Sequence, residues 1–212
     1  MDFPNRKRQR LKDYDYSMNN SYFVTICTQN RDVLFGDIMN KSIFLSKSGK
    51  MISEKFLNIT ETEGVKIDKY VVMPNHIHAI ITISYEETKI LNNGINSNDG
   101  TKILNNGTTQ GSFPTLSELI QRFKTITTKL YIDGVKEGIY QPFNKKIWQK
   151  SFYDHIIRNE NEYKTICNYI EHNPQKWEED FYNVGNDPCV VPLSDISASP
   201  FNPEDFIKGK YT

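Results

Sequence analysis

Residues 65–84 read VKIDKYVVMPNHIHAIITIS, two apolar and β-branched runs separated by a proline and an asparagine. Such runs favour β-strands, and Pro74-Asn75 suits a tight turn because proline fixes its own φ and asparagine tolerates the corner. The pattern predicts a hairpin whose second strand begins at His76. Residues i and i+2 of a strand point to the same face, so His76 and His78 project side by side. They form a candidate pair of metal ligands, and the alternative is a chance His-x-His pair in a core strand.

The composition of the whole chain is that of a single globular domain. At 212 residues, with 37% hydrophobic and 25% charged residues, the chain can bury one substantial core. No apolar stretch approaches the ~20 residues that span a bilayer, and residues 1–12 lack an apolar signal region. We therefore expect a cytoplasmic protein with no membrane partner. The 3 cysteines are widely spaced and support neither a disulfide framework nor a zinc knuckle.

Composition shifts along the chain suggest where the domain begins and ends. Residues 1–20 form a basic N-terminal segment, residues 21–182 the domain, and the proline-rich residues 183–212 an irregular or disordered tail. Residues 85–112 contain the heptapeptide TKILNNG twice, among Asn, Gly and Ser residues that cannot build a core. We interpret this stretch as a flexible insertion within the domain.

Hydrophobic periodicity and helix-capping residues predict the remaining elements. These are strands over 21–28 and 42–45, amphipathic helices from about 51, from 116 and from about 159, and a loop or hairpin over 134–146. Thr115 with Glu118, and Asn159 with Glu162, have the spacing of capping boxes. The order strand, strand, helix, strand, strand, helix, helix is most simply an α+β fold, an antiparallel sheet with helices packed on it.

The last predicted helix carries a tyrosine away from its apolar stripe. The stripe comprises Tyr163, Ile166, Cys167 and Ile170. Tyr169 lies roughly 110° from the centre of that stripe, and Asn173 falls on the same side one turn later. If this side covers the histidine face of the sheet, two imidazoles, an amide oxygen and a phenol converge on one point. Asn173 before Pro174 is also an ordinary helix ending, so its role as a ligand has a structural alternative.

Such a convergence has a chemical use. A divalent cation held by two neutral imidazoles and an oxygen keeps open positions for a scissile phosphate and acts as a Lewis acid. A phenol can attack the phosphorus and become covalently attached. Covalent attachment conserves the energy of the cleaved phosphodiester, which suits strand transfer better than hydrolysis.

These motifs carry a family resemblance. Residues 73–78 (MPNHIH) resemble the His-hydrophobic-His motif of HUH nucleases, and residues 169–174 (YIEHNP) resemble their single-tyrosine helix. Further blocks, at residues 8–16, 22–28, 34–36 and 148–160, are similar to blocks of REP-associated tyrosine transposases of the IS200-like, single-tyrosine group. The resemblance covers residues 6–180 apart from the insertion, and the order and spacing of the motifs make it specific.

The resemblance implies a fold, a cofactor and a substrate. The fold is a ferredoxin-like or RRM-like antiparallel sheet with flanking helices, and the cofactor is Mg²⁺ or Mn²⁺ held by His76, His78 and Asn173. The substrate is single-stranded DNA with a foldback hairpin, cleaved through a 5′-phosphotyrosine intermediate on Tyr169. Asn173 stands where insertion-sequence relatives typically have glutamine. Relatives act as monomers or as homodimers, and the long connection before the last helix permits either.

Basic residues could bind the DNA even though the formal net charge of the chain is +0. The candidates are Arg6, Lys7, Arg8, Arg10, Arg122, Lys124, Lys129 and Lys150. Each is also compatible with an ordinary solvated surface cation.

Two other functions and one other nucleophile remain open. The same fold could serve as a nucleic-acid-binding module without chemistry, or as a metal-dependent phosphoesterase that forms no covalent intermediate. Tyr153 is the alternative nucleophile, although its aromatic-rich surroundings favour core packing. His155 and His172 are near the proposed site in sequence, and we expect His172 to be exposed.

Overall fold

The structure, a computed structural model, describes residues 19–84 and 114–180. Its main sheet contains β1 (Asn20–Cys27), β4 (Val65–Val72), β5 (His76–Ile83) and β6 (Tyr153–Ile156), and a small hairpin contains β2 (Gly36–Met39) and β3 (Ser42–Leu45). The helices are α1 (Lys47–Leu57), α2 (Leu116–Lys136) and α3 (Glu160–His172). Three short 3-10 helices span Gln29–Arg31, Asn58–Glu61 and Asn173–Glu179.

The main sheet is antiparallel, with strand order β4-β5-β1-β6. Central strand β1 pairs along its whole length with β5, from Asn20 opposite Ile83 to Cys27 opposite His76. Within this sheet the chain runs strand, helix, strand, strand, helix, strand, the ferredoxin-like arrangement. The predicted α+β fold, with an antiparallel sheet and flanking helices, is therefore confirmed.

The two faces of the sheet are covered differently. Helices α1 and α2 cover one face, where alternate residues of β1 and β5 join a large apolar core around Phe56 and Phe123. Helix α3 follows the last strand of the sheet and covers the other face, where Phe23 and Ile80 meet Ile166 and Ile170 in a smaller cluster. Because alternate residues of a strand face opposite sides of the sheet, the odd-numbered residues of β1 and the even-numbered residues of β5 face α3. The two histidines are among them.

Two strands were missed by the sequence analysis. Strand β6 is 4 residues long and pairs with β1 from far along the chain, so nothing local distinguishes Tyr153–Ile156 from a loop. Strand β2 is equally short, and left-handed Asn40 and Lys41 form the turn that pairs it with β3. The predicted strand order was therefore incomplete.

Two helix predictions need correction. Helix α2 runs through Gly134 to Lys136, so the loop predicted over 134–146 begins too early. Gly134 serves packing, since a Cβ there would collide with the ring of Tyr140. The capping box of Thr115 and Glu118 is present in full. At α3, the Asn159 side chain accepts a hydrogen bond from the Glu162 amide, but the Glu162 carboxylate accepts one from the Arg158 amide and not from the Asn159 amide.

Several predictions concern parts of the chain outside the described residues. These are the basic segment with Arg6, Lys7, Arg8 and Arg10, the insertion at 85–112 and the tail at 183–212. Within residues 19–84 and 114–180, none of the helices has the length and apolar character needed to cross a bilayer.

Candidate active site

His76 and His78 lie at the start of β5, on the face covered by α3, and both side chains are 0% exposed. Their ring centroids are 4.4 Å apart. Because β1 pairs with β5 in register, Thr25 lies opposite His78 and Cys27 opposite His76. The predicted side-by-side arrangement of the two imidazoles is present, and it is deeply buried.

Burial keeps both imidazoles neutral. It lowers the pKa of His78 to about 3, because the charged ring would lose its hydration. It also lowers the pKa of His76 well below the usual value, and the neighbouring His78 and Arg31 lower it further. A neutral imidazole has a lone pair on one nitrogen, so each ring can act as a metal ligand at neutral pH.

Each ring uses its Nδ1 in a hydrogen bond to a neighbouring side chain. Nδ1 of His78 is 2.9 Å from the hydroxyl of Thr25, and Nδ1 of His76 is 2.8 Å from the amide oxygen of Asn75. Phe23 stacks on His78 with a centroid distance of 5.4 Å, and Trp177 stacks on His76 at 6.2 Å. These contacts hold the two rings so that their Nε2 atoms face the space beneath α3.

Tyr169 reaches this space from α3. Its hydroxyl lies 3.2 Å from Nε2 of His78, and its ring meets Phe23 edge to face with centroids 6.0 Å apart. The side chain is half-buried. The structure therefore brings Tyr169 to the histidines, as expected if this side of the helix covers them.

Asp180 is a member of the site that the sequence analysis missed. Its Oδ2 lies 3.9 Å from Nε2 of His76, and its side chain is 2% exposed. One potential ligand atom from each of His76, His78 and Asp180 lies within 4.8 Å of the other two. In the sequence, Asp180 appears as one carboxylate in the acidic run Glu178-Glu179-Asp180, and nothing local separates it from a solvated surface charge.

Asn173 begins the 3-10 helix that follows α3, one turn beyond Tyr169. Its side chain is 3% exposed, and within the described part of the chain its Oδ1 accepts no hydrogen bond. A buried amide oxygen without a donor is costly unless something else satisfies it. Asn173 keeps helical dihedral angles, φ −57° and ψ −43°, although Pro174 follows, because the chain continues into the 3-10 helix.

These residues fit a divalent cation. The clustered donors are two neutral imidazole nitrogens and a carboxylate oxygen. The buried amide oxygen of Asn173, at the start of the 3-10 helix that leads to Asp180, is a further candidate donor. Mixed nitrogen and oxygen donors suit first-row divalent metals, whereas Mg²⁺ prefers sites built from oxygen alone. A cation would also offset the buried negative charge of the Asp180 carboxylate.

The other candidate residues are less suited to the chemistry. Tyr153 lies on the same face beside Phe23, and burial raises the pKa of its phenol above the usual value, with Asp154 and Glu162 adding to the effect. His155 is held by Glu162, with 2.7 Å between its Nε2 and the carboxylate. His172 is exposed, as predicted, and its Nδ1 lies 2.8 Å from the carbonyl of Asn168.

The predicted DNA-binding residues within the described ranges are not gathered around the histidines. Arg122 and Lys129 are exposed on α2, which packs on the opposite face of the sheet, and Arg122 lines a groove of about 560 Å³ there. Lys124 donates to the carbonyls of Gln149 and Ser151, both at 2.9 Å, and burial lowers its pKa to about 8. Lys150 is exposed.

Comparison with known proteins identifies a curated relative and similar solved structures. An uncharacterised protein of Haemophilus influenzae is 36% identical over 176 residues, which cover 82% of this chain and 91% of the relative.

A REP-associated tyrosine transposase bound to a REP hairpin has a TM-score of 0.47 and 20% identity, over 79% of this chain and 74% of that chain. A crystallised candidate transposase from Deinococcus radiodurans has a TM-score of 0.41 and 12% identity, over 76% of this chain and 95% of that chain. No protein-family model matches the sequence.

Proposed function

We propose that this chain, which belongs to the same family as the uncharacterised Haemophilus influenzae protein, is a metal-dependent, transposase-like enzyme. In this proposal it nicks and rejoins single-stranded DNA. The observation that carries the proposal is the placement of the Tyr169 hydroxyl 3.2 Å from Nε2 of His78, at the edge of a buried cluster of potential metal ligands. A phenol beside a metal centre suits covalent phosphoryl transfer. The motif resemblance supplies the substrate class, single-stranded DNA that carries a hairpin.

Tyr169 is the nucleophile in this proposal. Its Oη forms a bond to the phosphorus, the bond between phosphorus and O3′ breaks, and O3′ takes up the proton that the phenol loses. The downstream DNA then remains attached as a 5′-phosphotyrosine, and reversal of the step with another 3′-hydroxyl rejoins strands. Phe23 fixes the edge of the Tyr169 ring, so the hydroxyl stays directed at the histidines.

His76, His78, Asp180 and Asn173 would hold the metal. The donor set favours Mn²⁺ over Mg²⁺, because two of the three clustered donors are imidazole nitrogens. When bound, the ion supplies Lewis-acid stabilisation of the charge that develops on the phosphate oxygens. Burial of the two rings keeps them neutral and ready to bind.

Trapping the covalent intermediate tests the nucleophile. A hairpin-bearing oligonucleotide labelled at its 3′ end, incubated with the protein and Mn²⁺, should give an adduct that survives SDS, because the 3′ fragment stays on the protein. The Tyr169→Phe variant should give none. Tyr153→Phe, a tyrosine on the same sheet face, is the matched control and should retain the adduct.

The outcomes separate the three functions. An adduct that persists in Tyr169→Phe rejects Tyr169 as nucleophile. Metal-dependent cleavage with no adduct in any variant indicates a phosphoesterase, for which the cluster of His76, His78 and Asp180 would suffice. Binding of the oligonucleotide with neither metal dependence nor cleavage indicates a binding module.

A second experiment tests the metal ligands. Titration of the protein with Mn²⁺, followed by the electron paramagnetic resonance signal of the free ion, gives the affinity directly. Asp180→Asn should weaken binding by at least about tenfold, the lower end of the effects seen even for outer-sphere partners. Asp133→Asn, which removes a carboxylate from α2, should bind as the parent does. Unchanged affinity in Asp180→Asn contradicts its role.

A further inference from the structure

Asn75 stands at the turn before β5 and is held from several directions. Its side chain is buried, at 1% exposure. Its backbone carbonyl accepts hydrogen bonds from the amide and the hydroxyl of Thr28, at 2.9 and 3.0 Å. Its side-chain Nδ2 donates to the carbonyl of Arg31 at 3.1 Å. The carboxamide therefore has one orientation, with its nitrogen toward Arg31 and its oxygen toward the next residue.

This orientation determines which nitrogen of His76 carries the proton. Oδ1 of Asn75 can only accept a hydrogen bond, and it lies 2.8 Å from Nδ1 of His76. The contact is favourable only if Nδ1 bears hydrogen, which leaves the lone pair on Nε2. That nitrogen lies 3.9 Å from Oδ2 of Asp180.

We infer that Asn75 is a positioning residue for the proposed metal site: it fixes His76 as the Nδ1–H tautomer and so directs the Nε2 lone pair toward Asp180. The inference rests on the proposed metal site for its purpose, but the tautomer itself is a property of the metal-free protein. Outer-sphere partners of this kind orient metal-binding histidines and raise their basicity.

The second histidine is held differently, which makes it an internal comparison. His78 has its Nδ1 2.9 Å from the hydroxyl of Thr25, and a hydroxyl can either donate or accept. Thr25 therefore imposes no tautomer on His78. Its Nε2 can face the hydroxyl of Tyr169, 3.2 Å away, as donor or as acceptor. The site thus combines one imidazole of fixed tautomer with one that can adapt to Tyr169 or to a metal.

Long-range ¹H–¹⁵N NMR of the metal-free, DNA-free protein reads the tautomers directly. The chain has 4 histidines, so the signals of His76 can be assigned by their loss in His76→Gln. We expect His76 to show one protonated Nδ1 and one unprotonated Nε2. A His76 that carries its proton on Nε2 overturns the inference, and this measurement needs no variant of Asn75 that folds.

Variants of the two partner side chains then link the tautomer to metal binding. Asn75→Leu removes the acceptor at similar size, and we expect loss of the single tautomer and Mn²⁺ binding weaker by roughly 10- to 100-fold. Asn75→Asp restores an acceptor oxygen and should recover the Nδ1–H tautomer and most of the affinity at pH 8. Thr25→Val, the matched control, should leave the His76 signals unchanged. Unchanged Mn²⁺ affinity in a folded Asn75→Leu protein contradicts the positioning role.

The experiments on Asn75 can succeed or fail independently of the proposed strand transfer. A correct tautomer and an Asn75-dependent affinity for Mn²⁺, together with no covalent adduct, reject the proposed strand transfer and leave the role of Asn75 intact. Adduct formation with the Nε2–H tautomer at His76 rejects the role of Asn75 and leaves the strand transfer intact.

Discussion

The two faces of the main sheet share the same strands but carry side chains of different chemistry. Toward α1 and α2, β1 and β5 present apolar residues such as Val24, Ile26 and Ile81, which join an extensive core. Toward α3, the neighbouring positions present Thr25 and His78, which hydrogen-bond to each other, and His78 also contacts the hydroxyl of Tyr169. Burial of apolar surface stabilises the fold, whereas burial of polar groups costs free energy unless each is paired. The apolar face therefore supplies the stability that offsets the free-energy cost of burying polar groups on the other face.

The largest effect on stability is expected on the apolar face. Phe123 is 3% exposed and packs against Phe56 and Trp148, with centroid distances of 5.3 and 5.5 Å. Phe123→Ala should lower the free energy of unfolding by about 3–5 kcal/mol, because a cavity remains where the ring was. Urea denaturation measures the change. Ile126→Ala, at a position of the same helix that is 42% exposed, should cost well under ~1 kcal/mol. Equal losses in the two variants contradict a core role for the Phe123 ring.

On the site face, the expected effect is on metal binding instead of stability. His78→Leu replaces a buried ring by an apolar side chain and should weaken Mn²⁺ binding by roughly 100-fold or more, since a ligand is lost. Its free energy of unfolding should fall by no more than about 2 kcal/mol, since removal of a buried polar ring offsets part of the cost of leaving the buried Thr25 hydroxyl without its hydrogen-bond partner. Ile81→Ala, on the same strand but the opposite face, should do the reverse: normal Mn²⁺ affinity and a loss of about 2–4 kcal/mol. A large loss of stability in His78→Leu contradicts the prediction.

The histidines should also make stability depend on pH. Burial lowers the pKa of His78 to about 3 in the folded protein, against about 6.5 when unfolded. Unfolding therefore takes up a proton between these values, so the stabilisation is fully present above pH 6.5 and is lost as the pH falls toward 3. Each such histidine contributes up to about 1.4 kcal/mol per pH unit in this window. Urea titrations with EDTA at pH 7.5, 6.5 and 5.5 measure the slope.

The His78→Leu variant isolates the share of this one ring. Its stability should fall less steeply between pH 6.5 and 5.5 than that of the parent, by up to the contribution of one proton. The remaining slope belongs to His76 and His155, whose pKa values are also lowered by burial. Identical slopes in parent and variant contradict a buried, neutral His78.

The smallest expected effects are at the helix caps. Thr115 caps α2 over the apolar face and Asn159 caps α3 over the site, each through a side-chain oxygen that accepts a backbone hydrogen bond. Replacing either with alanine should cost about 1 kcal/mol of unfolding free energy. Asn159→Ala should also reduce the rate of adduct formation, because α3 carries Tyr169, whereas Thr115→Ala should leave it unchanged. Equal adduct rates in the two variants contradict a link between the α3 cap and the site.

The predictable parts of this protein are those set by neighbours in the sequence. Strand periodicity places His76 and His78 on one face whatever else the chain does, and the Asn159 cap depends on residues three positions away. Strand β6 was missed because its pairing with β1 spans most of the chain. The loop predicted over 134–146 began too early, at Gly134, because the ring that requires a glycine there belongs to Tyr140, beyond the helix.

The same distinction runs through the site. The sequence by itself determined the two imidazoles and the tyrosine one turn before Asn173, because each follows from the period of a single strand or helix. It also determined the α+β class with an antiparallel sheet, because that class follows from the order of the elements. The tertiary structure alone decided that Asp180 joins His76, that the Arg31 carbonyl holds the side chain of Asn75, and that the hydroxyl of Tyr169 meets His78. These contacts join segments up to about a hundred residues apart, and their geometry depends on how α3 packs across the sheet, which no local pattern encodes.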